Sequence, residues 1–137
     1  MSNPTTAVAT RFYDLYSNGD IERIVDLLGD DYVSHGFGDG GRENLRQSLE
    51  GFRAAFPDVA FTVEDTITEG DKVAVKTTFR ATHRGPFAGV PASGNPIEVG
   101  GCDVFRVREG KIVEAWWLGD SGSMLMQIGA IPVPSAS

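Results

Sequence analysis

The sequence predicts an α+β fold, a cone-shaped barrel in which a curved antiparallel sheet packs against three N-terminal helices. Apolar residues recur at helical spacing as far as Phe56 and alternate with polar residues from Val59 onwards, which indicates helices first and strands afterwards. The chain also lacks the strand–helix–strand alternation that is typical of parallel sheets. Because 137 residues can bury one core but not two, we expect residues 1–137 to form a single domain with a cavity between its layers.

Apolar stripes predict the three helices of the first half of the chain. The first spans residues 5–18, the second follows Asp20, and the third spans residues 42–56. Aspartate is a favoured N-cap, so Asp20 marks the start of the second helix. Pro57 stops the third helix, because the residue before a proline avoids helical backbone angles. A short extended piece at residues 32–37 separates the second helix from the third.

Alternating apolar residues predict four strands in the second half, at residues 59–67, 72–83, 97–108 and 111–119. The last two are joined by a two-residue hairpin turn at Glu109 and Gly110. Residues 85–96 hold three glycines and three prolines, which predicts an ordered loop that can serve as a lid. A short helix is expected over residues 120–128, followed by a loose tail at residues 131–137.

Composition excludes several classes of function. The net charge of −7 and the lack of a Lys/Arg cluster argue against nucleic acid as a partner. No apolar run is long enough to span a membrane and the N-terminus does not resemble a signal peptide, so we expect a soluble cytoplasmic protein. The lone Cys102 excludes an internal disulfide. With only two histidines, far apart in sequence, no metal site is expected.

Four stretches, taken in order and spacing, resemble one known family. They are Phe56-Pro57-Asp58, the run GDKVAVKTTFRATHRGPFAGVPASG at residues 70–94, the hairpin FRVREGKIVEAW at residues 105–116, and the pattern D-x-x-x-x-L-x-Q-I-G at residues 120–129. Together they are similar to the SnoaL-like polyketide cyclases of the nuclear-transport-factor-2-like superfamily. The resemblance covers nearly the whole chain.

That resemblance implies a cone whose mouth admits a flat, mostly apolar polyketide, and an intramolecular aldol ring closure that needs no cofactor. In the family, an acid that corresponds to Asp120 takes a proton from a carbon between carbonyl groups. Other members are recruited to hydroxylation, isomerisation or spirocyclisation, so the resemblance indicates the pocket more closely than the reaction.

Two aspartates are candidate catalytic acids. Asp120 can act as the base or as the N-cap of the last helix, and a carboxylate that accepts backbone N–H bonds is a poorer base. Asp103 is the second candidate, or else a sheet carboxylate with a structural partner. Unless a bulge shifts the register, hairpin pairing places Asp103 opposite Trp116 and puts Phe105 and Trp116 on the cavity side. Trp117 then lies on the opposite face, where it packs in a subunit interface or under another element.

Histidines and apolar side chains complete the predicted site. His83 lies on an apolar strand face and can polarise a carbonyl or bond a loop. His35 lies near the presumed mouth, where a buried, hydrogen-bonded role is expected. Each apolar candidate can also be ordinary core. The predicted substrate-binding residues are His35, Tyr16, Phe52, Phe56, Phe79, Phe87, Phe105, Trp116, Leu118 and Met124.

Other functions remain open at this point. The same pocket suits an isomerase or an epoxide hydrolase, although strand parity points Arg106 away from Asp103 and Asp120, with which it would have to act in epoxide opening. A non-catalytic module for a small ligand is a further alternative, in which Asp120 is only a cap. The exposed outer face of the sheet favours a homodimer or a homotetramer.

Overall fold

A computed structural model describes residues 3–132, and these residues form four helices and five strands. The loose tail that the sequence predicts lies largely outside the described residues. No helix in residues 3–132 is both long enough and apolar enough to cross a membrane. In chain order the elements are α1 (Pro4–Ser17), α2 (Ile21–Leu27), β1 (Leu28–His35), α3 (Arg42–Ala55), β2 (Ala60–Glu69), β3 (Lys72–Thr82), β4 (Pro96–Arg108), β5 (Lys111–Trp116) and α4 (Ser121–Gln127).

The strands form one mixed sheet with the order β1-β5-β4-β3-β2. The predicted α+β class is confirmed, and β2 to β5 are antiparallel neighbours. The first strand differs from the prediction, because β1 starts at Leu28 and pairs parallel to β5. Leu28 is 3% exposed, so its burial in the sheet ends the second helix earlier than its helical spacing suggests.

Side chains cap the N-termini of helices α1 and α2. The Asp20 carboxylate accepts a hydrogen bond of 3.2 Å from the Arg23 amide, which confirms the predicted cap of α2. Asn3 does the same for α1, accepting from the Thr5 amide at 2.8 Å. Such caps satisfy amide groups that have no partner within their helix.

A single cluster of buried apolar side chains lies between the helices and the sheet in residues 3–132. The α1 stripe contributes Phe12, Tyr13 and Tyr16, each no more than 2% exposed. The face of β3 that carries Val73 and Val75 packs against it. The aromatic side chains of α1 therefore form one wall of the space above the sheet.

Two irregularities in the sheet change which side chains face this space. The register of β2 shifts between Val63 and Asp65, so Ile67 turns outward and is 70% exposed. In the last hairpin Val107 pairs with Ile112 but Arg106 pairs with Glu114. A one-residue shift sends every following side chain to the other face.

The hairpin shift makes the predicted pairing of Asp103 with Trp116 wrong. Trp116 lies opposite Val104 instead. Val113 has no partner across the hairpin, and this extra residue is what defines a bulge. Trp116 consequently lies on the outer face of the sheet, and Trp117 lies on the face that packs against the helices.

Candidate functional site

A cavity of about 220 Å³ lies between the sheet and helices α1, α3 and α4. Its wall is mostly apolar, with Leu49, Val99 and Met124 among the aliphatic residues. The polar side chains that line it are Thr77, Asp103, Asp120 and Ser121. The aromatic side chains that line it are Phe12, Tyr16, Phe37, Phe52, Phe61, Phe79, Phe87 and Trp117.

Asp103 is the buried carboxylate of this wall and is only 7% exposed. Its Oδ2 accepts a hydrogen bond of 2.6 Å from the Tyr13 hydroxyl, and its Oδ1 accepts one of 3.1 Å from the Leu118 amide. Burial raises the pKa of Asp103, and the two hydrogen bonds oppose that rise. A carboxylate has about four lone-pair sites, so acceptor capacity remains for a ligand in the cavity.

Tyr13 shares the burial of Asp103. Burial, and next the neighbouring Asp103 carboxylate, hold the pKa of the Tyr13 phenol well above its ordinary value. Tyr13 therefore stays protonated and donates its hydrogen bond to Asp103. Tyr13 and Tyr16 are both buried, and it is the predicted substrate-binding residue Tyr16 that lines the cavity.

Asp120 combines the two positions that the sequence offered for it. Its Oδ1 accepts a 3.0 Å hydrogen bond from the Ser123 amide, which caps α4. The same residue lines the cavity and is exposed to solvent. Its own amide donates to the Gly100 carbonyl at 3.1 Å, which fixes the loop before α4 against β4.

Trp117 lines the cavity, so the prediction that places it on the face away from the cavity is wrong. It does pack under another element, the alternative to a subunit interface, since its ring lies 5.1 Å from Phe12 of α1. Its indole Nε1 donates to Ser34 Oγ at 2.7 Å, and the Tyr32 hydroxyl donates to the same oxygen at 3.0 Å. Ser34 donates onward to the Phe37 carbonyl at 2.6 Å. Burial raises the pKa of Tyr32 to about 12. This network fixes the plane of the indole ring.

A glycine allows Trp117 and β1 to approach each other. Gly36 has a φ of +93°, and a Cβ at this position would lie 2.9 Å from the Trp117 carbonyl oxygen. Both the backbone angle and the space therefore favour glycine. The close approach brings Phe37 to a ring-centroid distance of 6.0 Å from Trp117.

Three predicted substrate-binding residues lie outside both the cavity and the buried core. Trp116 is on the outer face, where its ring stacks on His35 at 5.4 Å. The His35 side chain is 44% exposed and its Nε2 lies 2.7 Å from Glu114, so it is hydrogen-bonded as expected but not buried. Leu118 points away as well, being 61% exposed. The hairpin bulge explains Trp116, since it reverses the two faces of β5 after Val113.

The structure does not bring His83 to the cavity wall. The fully buried ring lies 5.5 Å from the Phe56 ring, and its Nδ1 accepts a 3.1 Å hydrogen bond from the Ser93 amide. The other ring nitrogen, Nε2, has no hydrogen-bond partner within residues 3–132. His83 thus anchors the loop over residues 85–96 to the end of β3.

The remaining predicted apolar residues divide into two groups. Phe56 and Phe105 are fully buried in the core and do not line the cavity. Phe87 belongs to the loop predicted as a lid, and its ring packs on Phe52 at a centroid distance of 5.7 Å. The predicted substrate-binding residues that do line the cavity are Tyr16, Phe52, Phe79, Phe87 and Met124.

Several lining residues were not among the predicted site residues. Thr77 interrupts an apolar strand face and is 3% exposed, a pattern that marks Asp103 as well and could have identified it. Ser121 gave no comparable signal, because serine is common at the start of a helix. Trp117 was missed because the bulge that turns it inward is not visible in the alternation of β5.

Epoxide opening would need an arginine in the cavity, but Arg106 lies on the outer face of the sheet. Arg106 lies 3.2 Å from Asp71 and 3.4 Å from Glu114, as strand parity predicts. The described part of the cavity wall contains no Lys or Arg. Nowhere in residues 3–132 do three His, Cys, Asp or Glu side chains converge as metal ligands.

Comparison with known proteins gives a consistent family. AclR, a proposed hydroxylase from Streptomyces galilaeus, matches with a TM-score of 0.87 and 26% identity, covering 96% of this chain and 84% of that chain. IdmH, a proposed polyketide cyclase from Streptomyces antibioticus, matches with a TM-score of 0.81 and 33% identity over 91% of this chain and 98% of its own. TsrD from Streptomyces laurentii matches with a TM-score of 0.83 and 26% identity over 96% and 99%.

A comparison with curated proteins finds no significant match. The family model of the SnoaL-like polyketide cyclases, in contrast, matches residues 6–128. This range contains the cavity, both lining carboxylates and every strand of the sheet. The chain therefore belongs to the SnoaL-like polyketide cyclase family.

Proposed function

We propose that this protein is a cofactor-independent cyclase that closes a ring in a flat, polyketide-like carbonyl compound by an intramolecular aldol reaction. The observation that carries the proposal is the placement of a buried carboxylate, Asp103, in a mostly apolar wall. An apolar cavity with a few polar groups is the usual form of a small-molecule site. Family membership supports the same class of substrate.

Asp103 is the better placed of the two candidate bases. A general base works best when its pKa lies near the working pH, and burial moves the pKa of Asp103 upward in that direction. Asp120 is exposed and uses one oxygen to cap α4. We therefore assign proton abstraction to Asp103 and assign Asp120, at the edge of the same cavity, to contact with a polar part of the substrate.

The proposed reaction balances without a cofactor. The Asp103 carboxylate takes a proton from a carbon beside a carbonyl group, and the resulting enolate attacks a second carbonyl carbon of the same molecule. A carbon–carbon bond forms, and the attacked oxygen becomes an alkoxide that recovers the proton from Asp103. Holding the two reacting carbons together in the cavity supplies much of the rate of such a reaction.

Two hydroxyl groups in the wall are suited to the negative charge that develops on oxygen. Thr77 and Ser121 line the cavity, and hydroxyls can donate a hydrogen bond to an enolate. The Tyr16 hydroxyl is less suited, since it donates to the Leu49 carbonyl at 2.7 Å. Thr77 is the more rigid of the two candidates because it lies within β3 and is 3% exposed.

The proposal is tested with 2-tetralone, a flat bicyclic ketone with an exchangeable C–H group. Its exchange with deuterated water is followed by proton NMR with wild-type protein, Asp103→Asn and Asp120→Asn. We expect the wild type to accelerate exchange and Asp103→Asn to lose most of that acceleration. Binding of 2-tetralone without accelerated exchange in the wild type would instead support a non-catalytic binding module.

A further inference from the structure

The hydroxyl of Tyr13 has one hydrogen-bond partner within residues 3–132, the Oδ2 atom of Asp103. Tyr13 is 1% exposed and does not line the cavity. A substrate in the cavity therefore meets Asp103 but not Tyr13. Any effect of Tyr13 on the reaction has to pass through the carboxylate.

We propose that Tyr13 is a positioning residue that holds the Asp103 carboxylate in its reactive orientation and favours its ionised form. This inference rests on the proposed function, in which Asp103 is the base. It goes further by assigning a role in the reaction to a side chain from α1, ninety positions away in sequence.

The Tyr13 ring is held firmly enough to fix its partner. It packs edge-on against Phe12 at a centroid distance of 5.2 Å and against Phe105 at 5.9 Å, and it lies 5.2 Å from Phe61. Close-packed aromatic rings keep one orientation because rotation requires their neighbours to move. The Leu118 amide fixes the second oxygen of Asp103, so the plane of the carboxylate is defined from two sides.

Tyr13 can affect the ionisation of Asp103 strongly because no cation pairs with this carboxylate in residues 3–132. No Lys, Arg or His of residues 3–132 forms an ion pair with Asp103. The titratable groups around it are Tyr13 from α1, Tyr32 from β1, Cys102 beside it in β4, and Asp120 in the wall of the same cavity. None of these is a cation. The two hydrogen bonds are therefore the interactions that favour the carboxylate over the neutral acid.

The test compares wild type with Tyr13→Phe, which removes the hydroxyl and keeps the ring. The ionisation of Asp103 is followed by the ¹³C NMR shift of its carboxyl carbon, and 2-tetralone exchange is measured over the same pH range. Loss of a hydrogen bond to the charged form should move both the titration and the acidic limb of the rate profile up by about one pH unit. At pH values below the acidic limb of the wild-type profile, Tyr13→Phe should exchange 2-tetralone about tenfold more slowly than wild type.

Tyr32→Phe is the matched control, because it removes another buried hydroxyl whose partner is Ser34 and not Asp103. It should leave the Asp103 titration where it is in the wild type. A merely structural role for Tyr13 would lower the thermal midpoint or the rate at every pH equally, without moving the titration. An unshifted titration in folded Tyr13→Phe overturns the inference.

The remaining outcomes separate this inference from the proposed function. If Asp103→Asn abolishes exchange while Tyr13→Phe titrates like wild type, the base assignment stands and the positioning role fails. If Asp103→Asn exchanges like wild type, the base assignment itself fails. Should Tyr13→Phe not fold, Tyr13→3-fluorotyrosine supplies a stronger donor and should move the Asp103 titration down, and an unchanged titration would again overturn the inference.

Discussion

The Tyr13 hydroxyl lies 2.6 Å from Oδ2 of Asp103, and this buried hydrogen bond joins the first helix to the central strand β4. It couples the packing of α1 to the chemistry of the cavity, because the same carboxylate lines the cavity wall. The stability of the protein and the ionisation of its proposed base are thus linked through one group.

Stability should respond to the ionisation of Asp103. Because burial raises the pKa of Asp103 in the folded state, the folded protein binds its proton more tightly than the unfolded chain does. Stability therefore falls as pH rises from the unfolded value of about 3.9 through the folded pKa. Asp103→Asn has no such ionisation, so its free energy of unfolding relative to wild type should improve across this window.

Urea unfolding of both proteins at several pH values measures that difference. Glu114 provides a control, because its contribution to stability should have the opposite pH dependence. Its pKa is lowered, mainly by its hydrogen bond with His35. Its contribution is present at neutral pH and is lost as pH falls through its folded pKa. A constant difference between Asp103→Asn and wild type at all pH values would contradict the prediction.

Trp117 should limit the depth of the cavity. Its ring lies 5.1 Å from Phe12 and 5.4 Å from Phe105, so Trp117→Ala opens space between α1 and β4. We expect a loss of about 3 kcal/mol in the free energy of unfolding and tighter binding of larger polycyclic ligands relative to 2-tetralone. Calorimetry measures the loss of stability, and ligand-observed NMR measures the change in ligand binding.

The neighbouring tryptophan is the matched control for this change. Trp116 lies on the outer face, where it stacks on His35 and lies beneath the Lys72 ammonium at 5.4 Å. Trp116→Ala should cost less stability and should leave the preference for ligand size unchanged. Equal effects of the two substitutions on ligand size would contradict the placement of Trp117 in the wall.

A methyl group at Gly101 should disturb the site, whereas one at Gly100 should not. A Cβ on Gly101 would lie 3.0 Å from the Gly119 Cα, which is backbone and cannot rotate away. At Gly100 the nearest atom is the Thr77 carbonyl oxygen at 3.9 Å. Gly101→Ala should therefore cost about 1–2 kcal/mol by overpacking and should weaken 2-tetralone exchange.

Gly100→Ala serves as the control and should stay close to wild type in chemical unfolding. The outcome that speaks against this account is a larger loss of stability or exchange in Gly100→Ala than in Gly101→Ala. That result would mean that the loop before α4 does not pack on β4 at Gly101.

Asp120 should prove to be more important for helix α4 than for proton abstraction. Asparagine is as good an N-cap as aspartate, whereas alanine costs about 1 kcal/mol at such a position. Asp120→Asn should keep the wild-type thermal midpoint and lose less than about tenfold in exchange, since general-base catalysis is worth about 100-fold or more. Asp120→Ala should lower the midpoint. A loss of about 100-fold in Asp120→Asn would return the role of base to Asp120.

The fold class was predictable because the change from helical to alternating spacing near Pro57 is a strong local signal. The cap at Asp20 and the turn at Glu109 and Gly110 were predictable for the same reason, since each depends on a few adjacent residues. Asp103 was selected from a hairpin pairing that the structure does not show, but its predicted face is right because β4 pairs with β3 without a shift and so keeps Asp103 on the same face as Phe105. These confirmed predictions rest on local signals.

The site residues that were misplaced depend on contacts between distant segments. The bulge at Val113 turns Trp117 inward and Trp116 outward, and the alternation of apolar and polar residues in β5 does not predict it. The parallel pairing of β1 with β5 joins two segments that lie far apart in the sequence, so no local pattern predicts it.

The most direct test of the central claim is the rate of 2-tetralone deuterium exchange in Asp103→Asn relative to wild type, measured in folded protein at a pH above the acidic limb. If the buried carboxylate is the base, the substitution should reduce the protein-dependent rate by about 100-fold or more. A rate within about twofold of wild type, in a variant that still binds 2-tetralone, would contradict the assignment of Asp103 as the base.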